Sequence, residues 1–117
     1  MNVPSSGELY WAYFESEHPR PIIIVSRREL NLGKYVVVVP LTSTNLEKRR
    51  NLSNCVLFKA GSFGLTMDCV AQCEAITFIE KEFIILNTGP IGKLDGEKWR
   101  LLLHAIGYVI CAVCEPE

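Results

Sequence analysis

Two unbroken runs of β-branched residues, Ile22-Ile23-Ile24-Val25 and Val36-Val37-Val38-Val39, constrain this chain more than anything else in it. Isoleucine and valine are stiff at χ1 and fit a pleated surface, so each run reads as a strand. A strand with one wet face alternates apolar and polar residues. Runs without a polar interruption belong to strands covered on both faces, as in a small closed barrel. The polar residues stand at the ends: Arg20-Pro21 opens the first run, and Pro40-Leu41-Thr42-Ser43 closes the second. Paired antiparallel, the two strands bring those ends together. A guanidinium beside two hydroxyls on the rim of a rigid sheet is a candidate site for an oxyanion or a phosphate.

A chain of 117 residues makes one domain with a real core. It is 49% hydrophobic and 21% charged, which argues against disorder. The net charge is −1, so no positive field covers the surface and any nucleic-acid contact has to be local. The cysteines are Cys55, Cys69, Cys73, Cys111 and Cys114. Their odd number and apolar surroundings read as buried thiols in a reducing cytoplasm. Cys111-x-x-Cys114 has the spacing of a redox or zinc half-site, but it ends a helical pattern without a second pair or a nearby histidine. Met1 to Ser6 lacks the charged and apolar blocks of a signal peptide, and no apolar run reaches the roughly 18 residues of a membrane span.

Read in order, residues 1–6 are a loose tail and residues 7–117 a single domain. Gly7 to Phe14 is an aromatic-rich first strand with its aromatics packed in the core. Glu15 to Pro21 is a loop in which two prolines hold Arg20 extended ahead of the second strand. Arg27 to Gly33 is a short helical turn closed by glycine. Thr42 to Ser53 is a long polar loop carrying Lys48-Arg49-Arg50, a dense basic patch. Cys55 to Phe58 is a strand, and Gly61 to Gly64 a turn. Met67 to Ile79 is expected as one further strand, with Val70, Gln72, Glu74 and Ile76 on one face and Cys69, Ala71, Cys73 and Ala75 on the other. Phe83 to Gly89 is expected as a last short strand. A helix over residues 95–113 starts at Asp95, a good N-cap. It is apolar nearly all round, which implies burial between its own barrel and a second subunit.

The order of these elements, with the residues that carry them, resembles the MazF/PemK family of toxin endoribonucleases over roughly Gly7 to Val113. Gly7-Glu8-Leu9-Tyr10-Trp11 is similar to the family's opening strand. Arg20-Pro21-Ile22-Ile23-Ile24-Val25-Ser26 is similar to its Arg-Pro strand, and Val38-Val39-Pro40-Leu41-Thr42-Ser43 to its strand ending in Thr-Ser. Gly64-Leu65-Thr66-Met67-Asp68-Cys69-Val70-Ala71-Gln72-Cys73-Glu74-Ala75-Ile76 is similar to a fourth motif. The resemblance implies a mainly β fold with a C-terminal helix, an SH3-like small barrel. It further implies a homodimer, a cognate antitoxin whose segment folds along the RNA groove, and cleavage of single-stranded mRNA with no metal or other cofactor.

Cleavage in that family runs through attack of a ribose 2′-hydroxyl on the adjacent phosphate. By position, the resemblance assigns Arg20 to phosphate binding and acid catalysis, and Thr42 to a hydroxyl donor followed by Ser43. It assigns Glu74 to proton transfer. His18, Gln72, Lys48, Arg49 and Arg50 are the expected RNA-binding residues. The chain departs from the family pattern in a short glycine-free loop before Arg20, and in Gln72, Cys69 and Ala75. Two other readings use the same barrel: a CcdB-like gyrase poison, and a barrel that binds RNA or a peptide without cleaving.

Overall fold

Strand β3 (Tyr35–Thr42) is the spine of the fold, and the rest of the sheet is arranged along its two edges. The computed structural model describes residues 3–14, 16–112 and 115–117. Along one edge of β3 lie β2 (Arg20–Ile24), then β1 (Glu8–Ala12), then the two-residue β7 (Gly92–Lys93), all antiparallel. The other edge takes two strands in succession. β6 (Thr77–Glu80) pairs with its first half, and β5 (Cys69–Gln72) pairs with its last two residues. Beyond β5 lies β4 (Cys55–Phe58). A helical turn, α1 (Leu46–Arg49), sits within the expected long loop, and α2 (Gly96–Val109) closes the chain over the sheet.

Both faces of β1, of β2 and of β3 from Val38 onward are largely covered, while Tyr35 and Val37 at the start of β3 stay exposed, against the expectation for that run. Leu9, Ile23, Val39 and Leu41 pack with Val56, Phe58, Cys73 and the α2 residues Leu102, Ala105 and Ile106. Their neighbours in sequence, Tyr10, Ile22, Ile24, Val36 and Val38, pack on the opposite face with Ile84. The architecture is the mainly β, SH3-like barrel with a C-terminal helix expected from the sequence.

Four local expectations are corrected. The stretch Met67 to Ile79 is two strands, broken by a 3-10 turn at Cys73–Ala75. Leu41 faces Ala71, so one continuous strand would set residue 74 opposite Val38; Thr77 is there instead. The turn absorbs the three-residue difference, and it keeps Cys73 wholly buried beneath α2. Val70 and Gln72 share a face of β5 as expected, but Glu74 lies in the turn and Ile76 beyond it, so neither continues that face. Phe83 to Gly89 makes no strand, only a single bridge between Ile84 and Ala12. Residues 3–6 are not loose, because the buried Asn31 amide donates to the Pro4 carbonyl at 2.9 Å. Helix α2 ends at Val109, short of the expected 113, and Val113 lies outside the described residues. Asp95 caps it as expected, accepting from the Lys98 amide at 2.8 Å. Leu101, Leu103 and Tyr108 of α2 stay exposed in the single chain.

Cys55, Cys69 and Cys73 are free and buried, as expected; Cys111 is disulfide-bonded, against the expectation of thiols throughout. Cys114 lies outside the described residues. Burial pushes the Cys69 thiol up to about 11 and the Cys73 thiol up to about 12 from the usual 9.0. Burial, with Glu8 beside it, pushes Tyr10 up to about 12. In the unfolded chain these groups ionise first, so the folded state keeps its full stability below pH 9. It loses stability as pH rises through 9 to 12, at about 1.4 kcal/mol for each pKa unit of separation. Urea midpoints are expected to hold steady from pH 7 to 8.5 and to drop steeply above pH 9.5. A Cys69→Ala, Cys73→Ala double variant should show a shallower drop, and an identical drop would sink this account.

Candidate active site

Ile22 lies opposite Pro40 in the β2–β3 ladder, and two residues further along each strand the same register sets Arg20 opposite Thr42. The polar ends of the two runs therefore meet. They floor a cleft of about 380 Å³, with Pro21 and Leu41 beside them and Ser43 and Thr44 at its lip. Trp11 and Pro19 stand on one side of the cleft, and Leu65, Thr66, Met67 and Cys69 on the other.

Arg20 is held by neutral groups. Its Nη2 donates to the Leu41 carbonyl at 3.3 Å, and its guanidinium carbon lies 5.8 Å from the centre of the Phe14 ring. Among the described residues, no acidic side chain comes within ion-pair distance of it. A half-buried cation fixed in place and left uncompensated is a latent anion site. Thr42 Oγ1 accepts from the Thr44 amide at 3.2 Å, which fixes the oxygen and leaves the hydroxyl hydrogen free to donate. β3 is paired with β5 at this point, Thr42 facing Val70, so the hydroxyl sits on sheet backbone.

Arg20, Thr42 and Ser43 are thus brought together, while the other expected site residues are placed elsewhere. Glu74 lies in the Cys73–Ala75 turn and lines a second cleft beside Leu103, His104 and Tyr108 of α2. It accepts from the Asn54 amide at 2.8 Å and lies 3.8 Å from Arg49. Gln72 faces Cys55 at the end of β5. His18 is exposed in the bend before Pro19, its backbone amide bonded to Ser16 Oγ. The basic patch is partly neutralised within the chain: Arg49 by Glu74, and Arg50 by Glu47 at 3.2 Å. Lys48 is exposed.

The sequence reading placed Trp11 in the core and gave Thr66 and Met67 no role. Trp11 faces Pro21 in the β1–β2 register and is only half-buried. A signal for it existed. Leu9 and Trp11 share a face, and Trp11 is the one that falls beside the Arg-Pro end of β2, past the edge of the core.

This fold is a small barrel with a cationic guanidinium and a strand-end hydroxyl lining one cleft on its rim. Residues 5–110 match the family described as the PemK-like, MazF-like toxins of type II toxin-antitoxin systems. The chain is 35% identical over 98 residues to Endoribonuclease MazF9 of Mycobacterium tuberculosis (strain ATCC 25618 / H37Rv), covering 79% of this chain and 78% of that protein. Its structure resembles a mycobacterial endoribonuclease solved in complex with its cognate antitoxin, with TM-score 0.75, 23% identity, and 97% and 99% of the two chains covered. It also resembles MazF in a MazE-MazF structure from Deinococcus radiodurans, with TM-score 0.75, 15% identity, and 94% and 97% covered. The chain belongs to the PemK/MazF family: it is a MazF-like toxin of the type II toxin-antitoxin class, an endoribonuclease.

Proposed function

We propose that this chain cleaves single-stranded RNA at the Arg20–Thr42 cleft. The observation that carries the reading is the fixed, uncompensated Arg20 guanidinium opposite the Thr42 hydroxyl. The 2′-oxygen attacks the adjacent phosphorus, a proton leaves the 2′-hydroxyl, and the bond to the 5′-oxygen breaks. Charge accumulates on the non-bridging oxygens, where Arg20 and the hydroxyls of Thr42 and Ser43 donate. The leaving oxygen takes a proton from the Arg20 side.

Glu74 does not reach this cleft within one chain. It lies beside the exposed face of α2, and a homodimer formed through that face sets it at the interface, from where it acts as proton acceptor. Lys48, with Arg49, Arg50, Gln72 and His18, lies along the proposed course of the RNA strand. A cognate antitoxin segment is the proposed inhibitor, supported by the antitoxin complexes of structural relatives. The cytoplasm is the proposed compartment, supported by the proposed RNA substrate; among the described residues no helix is long and apolar enough to cross a membrane.

The test is a labelled oligoribonucleotide incubated with the protein in EDTA. Products ending in a 2′,3′-cyclic phosphate and a 5′-hydroxyl are expected. A single 2′-deoxy substitution at the cleaved step should abolish cleavage there. Cleavage that survives the substitution would overturn the mechanism.

A further inference from the structure

The cleft is wider than one phosphate needs, and its two sides differ in chemistry. The sheet order across it is β5, β3, β2, β1, so Arg20 and Thr42 lie on the two inner strands. Neighbouring strands are about 4.8 Å apart, so the three steps from β1 to β5 span about 14 Å. Trp11, on β1 opposite Pro21, forms one side and is partly exposed there. Leu65 and Met67, leading into β5, form the other, and Met67 is 61% exposed. One side offers a rigid aromatic plane. The other offers an unbranched thioether that adapts to its contact and interacts well with π-systems. Neither is explained by phosphate chemistry, which uses only the floor.

The geometry points to two base subsites flanking the scissile phosphate: an aromatic one at Trp11 and an aliphatic one at Met67. This deepens the endonuclease reading and rests on it. A splayed dinucleotide places its phosphate over Arg20 and Thr42 and sends one base to each side. Unstacked bases of single strands are commonly captured on aromatic side chains in this way. The asymmetry gives the cleaved step a direction. The plane at Trp11 rewards the larger stacking surface of a purine, whereas the Met67 side tolerates either base size. Trp11 and Met67 are therefore specificity residues, and each reads a different nucleotide.

The experiment is a pair of double-mutant cycles. Trp11→Leu and Met67→Ala are each combined with oligonucleotides carrying an abasic ribose 5′ or 3′ of the cleaved step, the 2′-hydroxyl being kept. Single-turnover cleavage is read on the ribo forms, and affinity on non-cleavable 2′-deoxy forms. Trp11→Leu is expected to lose about ten- to a hundredfold on the intact strand. It should lose nothing further on one of the two abasic strands, with Trp11→Phe restoring most of the loss. Met67→Ala should couple to the opposite abasic position. Equal losses on intact and both abasic strands would overturn the proposal, because that is the signature of a merely structural role. If the affinity cycles couple as described while the wild type cleaves nothing, the subsites stand and the nuclease reading falls. If cleavage proceeds without coupling, the reverse holds.

Discussion

Replacing Arg20 with alanine is expected to slow RNA cleavage by about a thousandfold or more and to leave the fold intact. Removing one donor from an oxyanion site costs about a hundred- to a thousandfold, and a transition-state arginine can carry more. Arg20 is proposed both to hold the phosphoryl oxygens and to supply the leaving-group proton, so the upper part of that range applies. Stability changes little, because the side chain's own bonds are a 3.3 Å contact to the Leu41 carbonyl and a ring contact to Phe14. Removing them costs about 1 kcal/mol or less. Arg20→Lys keeps the charge but not the planar fork, and it should fall between alanine and wild type. Thr42→Val tests the partner. Because both groups act on one phosphate, the double variant should lose much less than the product of the two single losses. Single-turnover rates with a thermal melt of each variant decide it. An alanine variant within tenfold of wild type would remove Arg20 from the chemistry.

Gly92→Ala is expected to prevent stable folding, for a reason unrelated to the active site. A Cβ at residue 92 would lie 2.1 Å from the Phe63 carbonyl oxygen and 2.9 Å from the Phe63 Cα. The reciprocal position is as tight: a Cβ at Gly64, whose φ is +81°, would lie 2.1 Å from the Ile91 carbonyl oxygen. Two segments cross backbone to backbone, and neither has a flexible end that can move aside. A loss of about 4 kcal/mol or more follows, a large share of a small domain's stability. Gly89→Ala is the control. Its φ is +79° but nothing lies within 4 Å, so it should cost about 1 kcal/mol from left-handed strain alone. Urea unfolding of both variants separates crowding from strain. A Gly92→Ala protein with a near-native midpoint would show that the crossing is not rigid. The crossing also bears on the cleft, since Gly64 leads directly into Leu65, Thr66 and Met67.

The parts of this molecule that the sequence made legible are those where one physical requirement had one solution. Unbroken Ile and Val runs needed cover on both faces, and β2 and the second half of β3 have it, while Val37 stays exposed. Antiparallel pairing of those runs left little choice about which ends meet, so Arg20 and Thr42 could be paired before any coordinates. The corner at Cys73 was hidden because burial reads the same either way. Cys69, Ala71 and Cys73 are buried whether the chain runs straight or turns, and the alternation of small apolar residues in the sequence runs on to Ala75 through the break. Glu74 was expected on a strand face as a consequence, whereas it stands in the turn. Ile84 is buried like a strand residue, but a single bridge to Ala12 suffices to seat it. Trp11 was missed because an aromatic on a strand is usually core, and only the register with Pro21 shows that the core has ended there.

The two-sided pairing of β3 also has a consequence for the order in which the protein becomes dangerous. Thr42 is synthesised early, but its backbone is secured only when Val70 arrives, and the core beneath it closes only with Leu102 and Ile106. Pairings between residues so far apart in sequence form late, after most of the chain is available. A nascent chain that has not yet delivered α2 therefore holds no assembled nuclease. The hazard to the cell's messages begins when α2 docks, the moment at which an inhibitor would have to be waiting.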